Sequence, residues 1–287
     1  MRLGCVVLTT GTRPRELDLA LESVLAQRGV ELDVVVVGNG WEPQGLPAGV
    51  RGVGLPVDQG TAAGRNAGVP HVEGDLVFFL DDDASLAEPD ALARVGARFD
   101  SDPLLGLLQL RVDPRDGGHP PSDWVPRLRA GDPQRSGEVT AVWEGAVAIR
   151  RRLLDEVGGW PAPFRIVHEG IDLAWRVMDA GYRVEYAGDN AVRHPVPPPV
   201  PARHSYSLYL GVRNRVWLAR RHLPIPLGLV YVLSFTLRAA LRVRGAGDLR
   251  AVAKALRDGV REPCGTRKTL SARTLWRMTR AGRPPVI

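Results

Sequence analysis

Leu76-Val77-Phe78-Phe79-Leu80-Asp81-Asp82-Asp83 decides how this chain is read: five apolar residues without a break, then three carboxylates. A run that shows no polar alternation is buried on both faces, and such strands belong to parallel sheets covered by helices on each side. Two runs of the same kind lie upstream, Leu3 to Thr9 and Asp33 to Val37. Between them Pro14 is placed to begin a helix, and Leu17, Leu21, Val24 and Leu25 repeat at helical spacing. The pattern predicts an open α/β sheet, in which ligands collect at the carboxyl ends of the strands. Asp81, Asp82 and Asp83 would then stand at the rim of a binding crevice.

Downstream, a helix is expected after Pro89 (Leu92, Val95, Phe99), then a strand from Leu104 to Val112. Residues 113–137 hold five Pro and four Gly and read as a long loop. Val139 to Ile149 resumes strand character. Arg151 to Val157 reads as a short helix stopped by Gly158-Gly159, and Ile171 to Ala180 as a helix ended by Gly181. The PVPPPVP run at 195–201 marks the expected end of the compact body.

Composition narrows the class. With 287 residues, 44% hydrophobic and 24% charged, the chain is globular and of enzyme size, not disordered. Cys5 and Cys264, the only cysteines, cannot build a disulfide framework or a zinc knuckle, which suits a reducing compartment. The start at Met1-Arg2 enters a strand directly, so a cytoplasmic location is expected. Leu223 to Leu237 is uncharged and apolar, but its 15 residues include Pro224 and Pro226 and fall short of the roughly 20 needed to span a bilayer. Charge is uneven: residues 238–287 carry 13 Lys or Arg against three acids, a net +10, leaving the remainder at −4. Either this segment rests on an anionic membrane surface, at the inner face of the cell membrane, or it packs on the body as helices with a solvated basic face. Nucleic acid is not an expected partner, since no recognition motif accompanies the basic residues.

Three adjacent carboxylates repel one another, and a hard cation such as Mg²⁺ or Mn²⁺ holding a diphosphate relieves that cost. The alternative is an acidic turn in which Asp83 or Ser85 caps the next helix. Other polar residues gather at the same predicted rim. Thr9 and Thr10 close the first strand, with Thr12 and Arg13 before Pro14 as rival helix starters. Asn39 lies between Gly38 and Gly40, as a ligand contact or a turn residue. Gly60, Gly64 and Gly68 frame Arg65 and Asn66, where small residues permit close backbone approach and the guanidinium suits phosphate. In the competing account Arg65 pairs with Asp58 and Asn66 satisfies local backbone.

These segments, in order, resemble the family 2 glycosyltransferases, and most of all the rhamnosyltransferase-like members: VVLTT at 6–10, LESVLAQ at 21–27, VVVVGNG at 34–40, GTAAGRNAG at 60–68, FFLDDDA at 78–84 and HEGIDLAWR at 168–176. The resemblance covers residues 3–222. It implies a GT-A fold, Rossmann-like with a mostly parallel sheet; a nucleoside-diphosphate sugar donor; a hydroxyl acceptor; and inversion at the anomeric carbon. It puts the Asp-x-Asp motif on Asp81 and Asp83, with Asp81 and Asp82 on the donor side and Asp81, Asp83 and His194 around a divalent cation, Mn²⁺ or Mg²⁺. Thr9, Thr10, Arg13, Asn39, Arg65 and Asn66 become donor-pocket candidates. Residues 1–202 become the catalytic domain, with a donor half at 1–112 and an acceptor half at 113–202, and 203–287 a helical basic extension.

Two departures stand out. Relatives carry an Asp where this chain has Gly38, and their catalytic base where it has Gly170. The base is therefore expected on Glu169, with Asp172 next, although Asp172 also stands at salt-bridge spacing from Arg176. The competing functions are a nucleotidyltransferase on a related core, for which LTTGTR at 8–13 is a poor phosphate loop, and a degenerate protein that binds a sugar nucleotide without turnover.

Overall fold

Strands that are apolar on both faces need cover on both, and the chain folds accordingly. The computed structural model describes residues 2–121, 124–126, 132–196 and 201–282. Its strands are β1 (Arg2–Thr9), β2 (Glu31–Asn39), β3 (Val50–Leu55), β4 (Leu76–Asp81), β5 (Ser85–Leu86), β6 (Leu105–Pro114), β7 (Gly137–Glu138), β8 (Ala146–Arg150) and β9 (Arg183–His194). They form one sheet in the order β3-β2-β1-β4-β8-β6-β9-β5, with β7 beside β9. Six strands run one way; β5, β7 and β8 oppose them. The expected mostly parallel α/β sheet is present, with its purely parallel part at β3-β2-β1-β4.

The two faces follow from the period of two along each strand. Cys5, Val7, Val34, Val36, Phe78 and Leu80 face α1 (Pro14–Leu25) and α3 (Ala91–Ser101), where Leu17, Leu21, Val24, Leu92, Val95 and Phe99 meet them. Val6, Leu8, Val35, Val37, Val77 and Phe79 enter the opposite core with α2 (Thr61–Gly68), α4 (Arg151–Glu156) and α5 (Glu169–Asp179).

Register positions the site. Leu8 pairs with Asp81 across β1 and β4, so Thr9 and Asp82 emerge side by side. The turn after Asp81 leads into β5, whose Ser85 pairs with Arg193 on β9. That short return brings Asp83 beside His194, although three strand steps separate β4 from β9.

Four helices follow: α6 (Pro201–His222), α7 (Ile225–Ala240), α8 (Ala246–Arg261) and α9 (Ala272–Arg280). Trp217, Leu218, Leu223, Tyr231, Leu270 and Met278 from this region share one core with Trp175, Val177 and Met178 of α5. Several of its basic residues act as tethers: Arg221 Nη1 donates to the Cys264 carbonyl at 2.7 Å and Arg277 Nη2 to that of Tyr182 at 2.8 Å.

Local reading missed some elements. Val139 to Ile149 was expected as one strand, but β8 holds only its last part; the Val139 N–H still bonds the Val184 carbonyl at 2.9 Å. β3 is a half-exposed edge strand with two glycines and little apolar signal. The Pro-rich run lies mostly outside the described residues (197–200), as do 122–123 and 127–131 of the long loop.

Candidate active site

Each aspartate of the cluster has its own counter-charge. Asp81 Oδ1 accepts from Arg65 Nη2 at 2.7 Å. Asp82 takes the Thr9 hydroxyl at 2.5 Å and one arm of the Arg13 guanidinium, whose other arm bonds Asp83. Asp83 Oδ1 lies 3.0 Å from His194 Nε2, and its backbone carbonyl accepts from Arg115 Nη2 at 2.8 Å. Long-range folding brings Arg13, Arg65 and His194 to these carboxylates and offsets part of their mutual repulsion. Burial pushes Asp82 up to about 6, against the Thr9 hydrogen bond and Arg13. Burial acts the same way on Asp83, but the His194 hydrogen bond and charge hold it below its ordinary value. His194 is raised in turn, Asp83 outweighing the opposing effect of burial.

Asp81, Asp83 and His194 nonetheless fit a divalent cation. Each offers a ligand atom, and the three atoms lie within 4.8 Å of one another. His194 Nδ1 is 2.7 Å from the Pro195 carbonyl; donating there would leave Nε2, once its proton toward Asp83 is lost, as the lone-pair nitrogen of a ligating imidazole. Trp124 and Trp143 hold the ring edge-on, each with its centroid 5.1 Å away. Arg115 and Trp124 carry no signal in the sequence, because no periodicity or spacing connects them to position 194.

The other donor-side candidates are placed as follows. Thr10 is exposed, its hydroxyl 3.0 Å from that of Thr12. Asn39 is turned into its own loop, donating to Asp58 Oδ1 at 2.7 Å and accepting from the Gln59 N–H at 2.9 Å. Asn66 clasps the Trp160 backbone with both amide atoms, each at 2.8 Å. Asn39 and Asn66 are therefore braces for the cleft wall. Arg65 is buried, stacked 4.9 Å from the Trp160 ring centroid, and spans Asp81 and Glu169, not Asp58.

Both glycine departures are closed by packing. A Cβ on Gly38 would lie 2.0 Å from the Trp41 carbonyl oxygen, and one on Gly170 would lie 2.4 Å from that of Val142 and 2.7 Å from Glu144 Oε1. Neither aspartate of the relatives fits this backbone. Glu169 Oε1 accepts from Thr61 Oγ1 at 2.8 Å and faces Arg65 at 3.5 Å, whereas its Oε2 is buried with no partner. Glu144, half-buried, accepts the Gly170 N–H at 2.7 Å. Burial raises both acids; Glu144, also under the negative charge of Glu169, is pushed up to about 8.

Asp172 does not face the cleft. It is wholly buried, with Arg176 Nε at 2.7 Å, Arg221 Nε at 2.7 Å and His222 Nε2 at 2.6 Å. Burial opposes its ionisation, but Arg176, His222 and Arg221 hold it well below the usual carboxylate range. This corrects its candidacy as a base: with every partner cationic or donating, it is held as the carboxylate away from the cleft, and it locks α5 to the end of α6. The loop entering α5 is strained, with Arg165, Val167 and His168 all at positive φ. Asn214 of α6 steadies it, donating to the carbonyls of Ile166 (2.9 Å) and Val167 (2.6 Å). Arg213 joins it at the Phe164 carbonyl (3.5 Å), whereas Arg215 turns to the Tyr231 hydroxyl (2.9 Å) and the Phe235 ring of α7.

With this geometry in view, residues 76–245, more than half of the chain, match glycosyl transferase family group 2. The chain belongs to this family. Among curated proteins it is similar to the O-antigen chain rhamnosyltransferase RfbN of Salmonella typhimurium, 29% identical over 134 residues. That match spans 43% of this chain and 42% of the relative's length. Among solved structures, S. aureus TarS 1-349 superposes with a TM-score of 0.63 at 16% identity, covering 91% of this chain and 80% of its own. A mannosyltransferase from Pyrobaculum calidifontis, PcManGT in complex with GDP-Man and Mn²⁺, gives 0.55 at 18% identity, covering 98% and 72%. The fold is GT-A, as the family membership leads one to expect.

Proposed function

We propose that this chain transfers a sugar, with inversion, from a nucleoside-diphosphate sugar to a hydroxyl acceptor in a metal-dependent reaction. The observation that carries the reading is the Asp81, Asp83 and His194 cluster at the carboxyl ends of β4 and β9. A cation held there would neutralise the departing diphosphate as a Lewis acid. The chain's own residues supply the remainder. Arg13, whose side chain is 46% exposed, is free to reach an anionic phosphate next to the acids it pairs with. Thr9 orients Asp82, Arg65 fixes Asp81, and the strained 165–168 loop with α5 forms the acceptor wall. A carboxylate on the acceptor side of the cleft receives the acceptor proton. Relatives agree in kind: RfbN is a rhamnosyltransferase, and the PcManGT structure contains GDP-Man and Mn²⁺.

We also place the chain as a peripheral protein on the inner membrane face. Ile225, Leu229, Leu233 and Leu237 recur every fourth residue of α7, each 58–71% exposed, and Leu241 continues the stripe. Residues 223–247 contain Arg238, Arg242 and Arg244 and no acid. No helix among the described residues is long and apolar enough to cross a membrane, so this face suits one lying in the lipid headgroup boundary.

Incubation with UDP-, dTDP- and GDP-sugars and Mn²⁺ tests the reaction. Slow release of nucleoside diphosphate is expected, and Asp83→Ala should abolish Mn²⁺-dependent nucleotide binding. Pyrophosphate release would point to nucleotidyl transfer instead. Donor affinity that ignores both EDTA and the substitution would remove the assigned site.

A further inference from the structure

A proton acceptor must reach the cleft, and Glu169 does not. It is 2% exposed, its Oε1 is committed to Thr61 and Arg65, and its Oε2 is sealed from solvent. Glu144 differs in its exposure and in its second oxygen. It stands in the turn before β8, half-buried. One residue on, the Gly145 carbonyl accepts the Asp81 N–H at 3.0 Å, which anchors this turn to the aspartate cluster. On its other side, Glu144 Oε1 accepts the Gly170 N–H at 2.7 Å, at the positive end of α5. Among the described residues this is the carboxylate's only hydrogen bond from another residue, leaving Oε2 for a ligand. The position of Oε1 is also telling, because it lies 2.7 Å from where a Cβ on residue 170 would be. The carboxylate of Glu144 fills the space that a side chain on residue 170 would enter.

We propose that Glu144 is the catalytic base, delivering from the strand side a carboxylate that position 170 cannot carry. This rests on the glycosyl-transfer reading above. As the acceptor oxygen bonds the anomeric carbon, its proton passes to Glu144 Oε2. The bond from that carbon to the diphosphate oxygen breaks, and its electron pair leaves with the diphosphate. Glu144 then returns the proton to water. Gly170 is the partner that makes this possible: its missing side chain admits the glutamate, and its N–H orients it.

The test uses the full chain with Mn²⁺ and the same sugar nucleotides, with water as acceptor and released nucleoside diphosphate as readout. Glu144→Gln keeps the shape and the Oε1 acceptor, and should lower kcat by about 100-fold or more. Donor KM and Mn²⁺-dependent binding of the nucleoside diphosphate should stay within about threefold of wild type. Glu144→Asp, which keeps the charge but withdraws it by one methylene, should fall between the two. Glu169→Gln should instead weaken nucleotide binding, through the loss of Arg65 support for Asp81. A Glu144→Gln variant with near-wild-type kcat, or a Glu169→Gln variant that loses the rate with binding intact, overturns the assignment while the transfer reading stands. A wild-type chain that binds nucleotide and Mn²⁺ yet releases no diphosphate overturns both.

Discussion

Replacing Asp172 by Ala should be among the most destabilising single changes in this protein while leaving donor recognition alone. The carboxylate has no exposed surface and balances Arg176, Arg221 and His222 at 2.6–2.7 Å. Arg221 is buried as well, so removing the acid strands positive charge where water cannot solvate it. Breaking a buried pair from one side costs about 3–5 kcal/mol. Two guanidinium groups share this acid, which favours the upper part of that range. With about 2–4 °C per kcal/mol for a domain of this size, the thermal midpoint should drop by on the order of 10 °C. Urea titration followed by fluorescence of the seven tryptophans would measure the loss, with nucleotide binding assayed in parallel well below the midpoint. The pH dependence has a definite sign. Since the folded state holds Asp172 below its unfolded value, its contribution is complete above about pH 4 and fades as pH falls further, so wild type and variant should converge in acid. A loss below about 1 kcal/mol together with abolished turnover would refute this account and return Asp172 to the chemistry.

Two further outcomes follow from packing. Glu in place of both Leu229 and Leu233 should abolish co-flotation with anionic vesicles without shifting the thermal midpoint, because both side chains are more than 60% exposed; a wild-type chain that never floats would remove the membrane assignment. Gly170→Ala should destabilise the fold by about 1–3 kcal/mol, because its methyl meets backbone at Val142 and cannot be relieved by a rotamer change; an unchanged urea midpoint would contradict the close approach.

What the sequence by itself determined was local and periodic. Burial on both faces of Leu3–Thr9, Asp33–Val37 and Leu76–Leu80 required a covered parallel sheet, and the end of such a strand had to put Asp81 to Asp83 at its rim. Helix starts and stops around Pro14 and Gly181 were legible for the same reason: each is written in neighbouring residues. Only the tertiary structure decided which charges meet. Arg13 reaches Asp82 and Asp83 across about 70 positions, His194 reaches Asp83 through the short β5 return, and Arg221 claims Asp172 from the end of α6. Asn39 and Asn66, polar and well placed in sequence, brace the Asp58–Gln59 loop and the Trp160 backbone, because an amide shielded from water must satisfy its own hydrogen bonds first. Glu144 and Gly170 show the limit most directly. Nothing in their spacing links them; strand and helix packing sets one carboxylate in the other's vacancy.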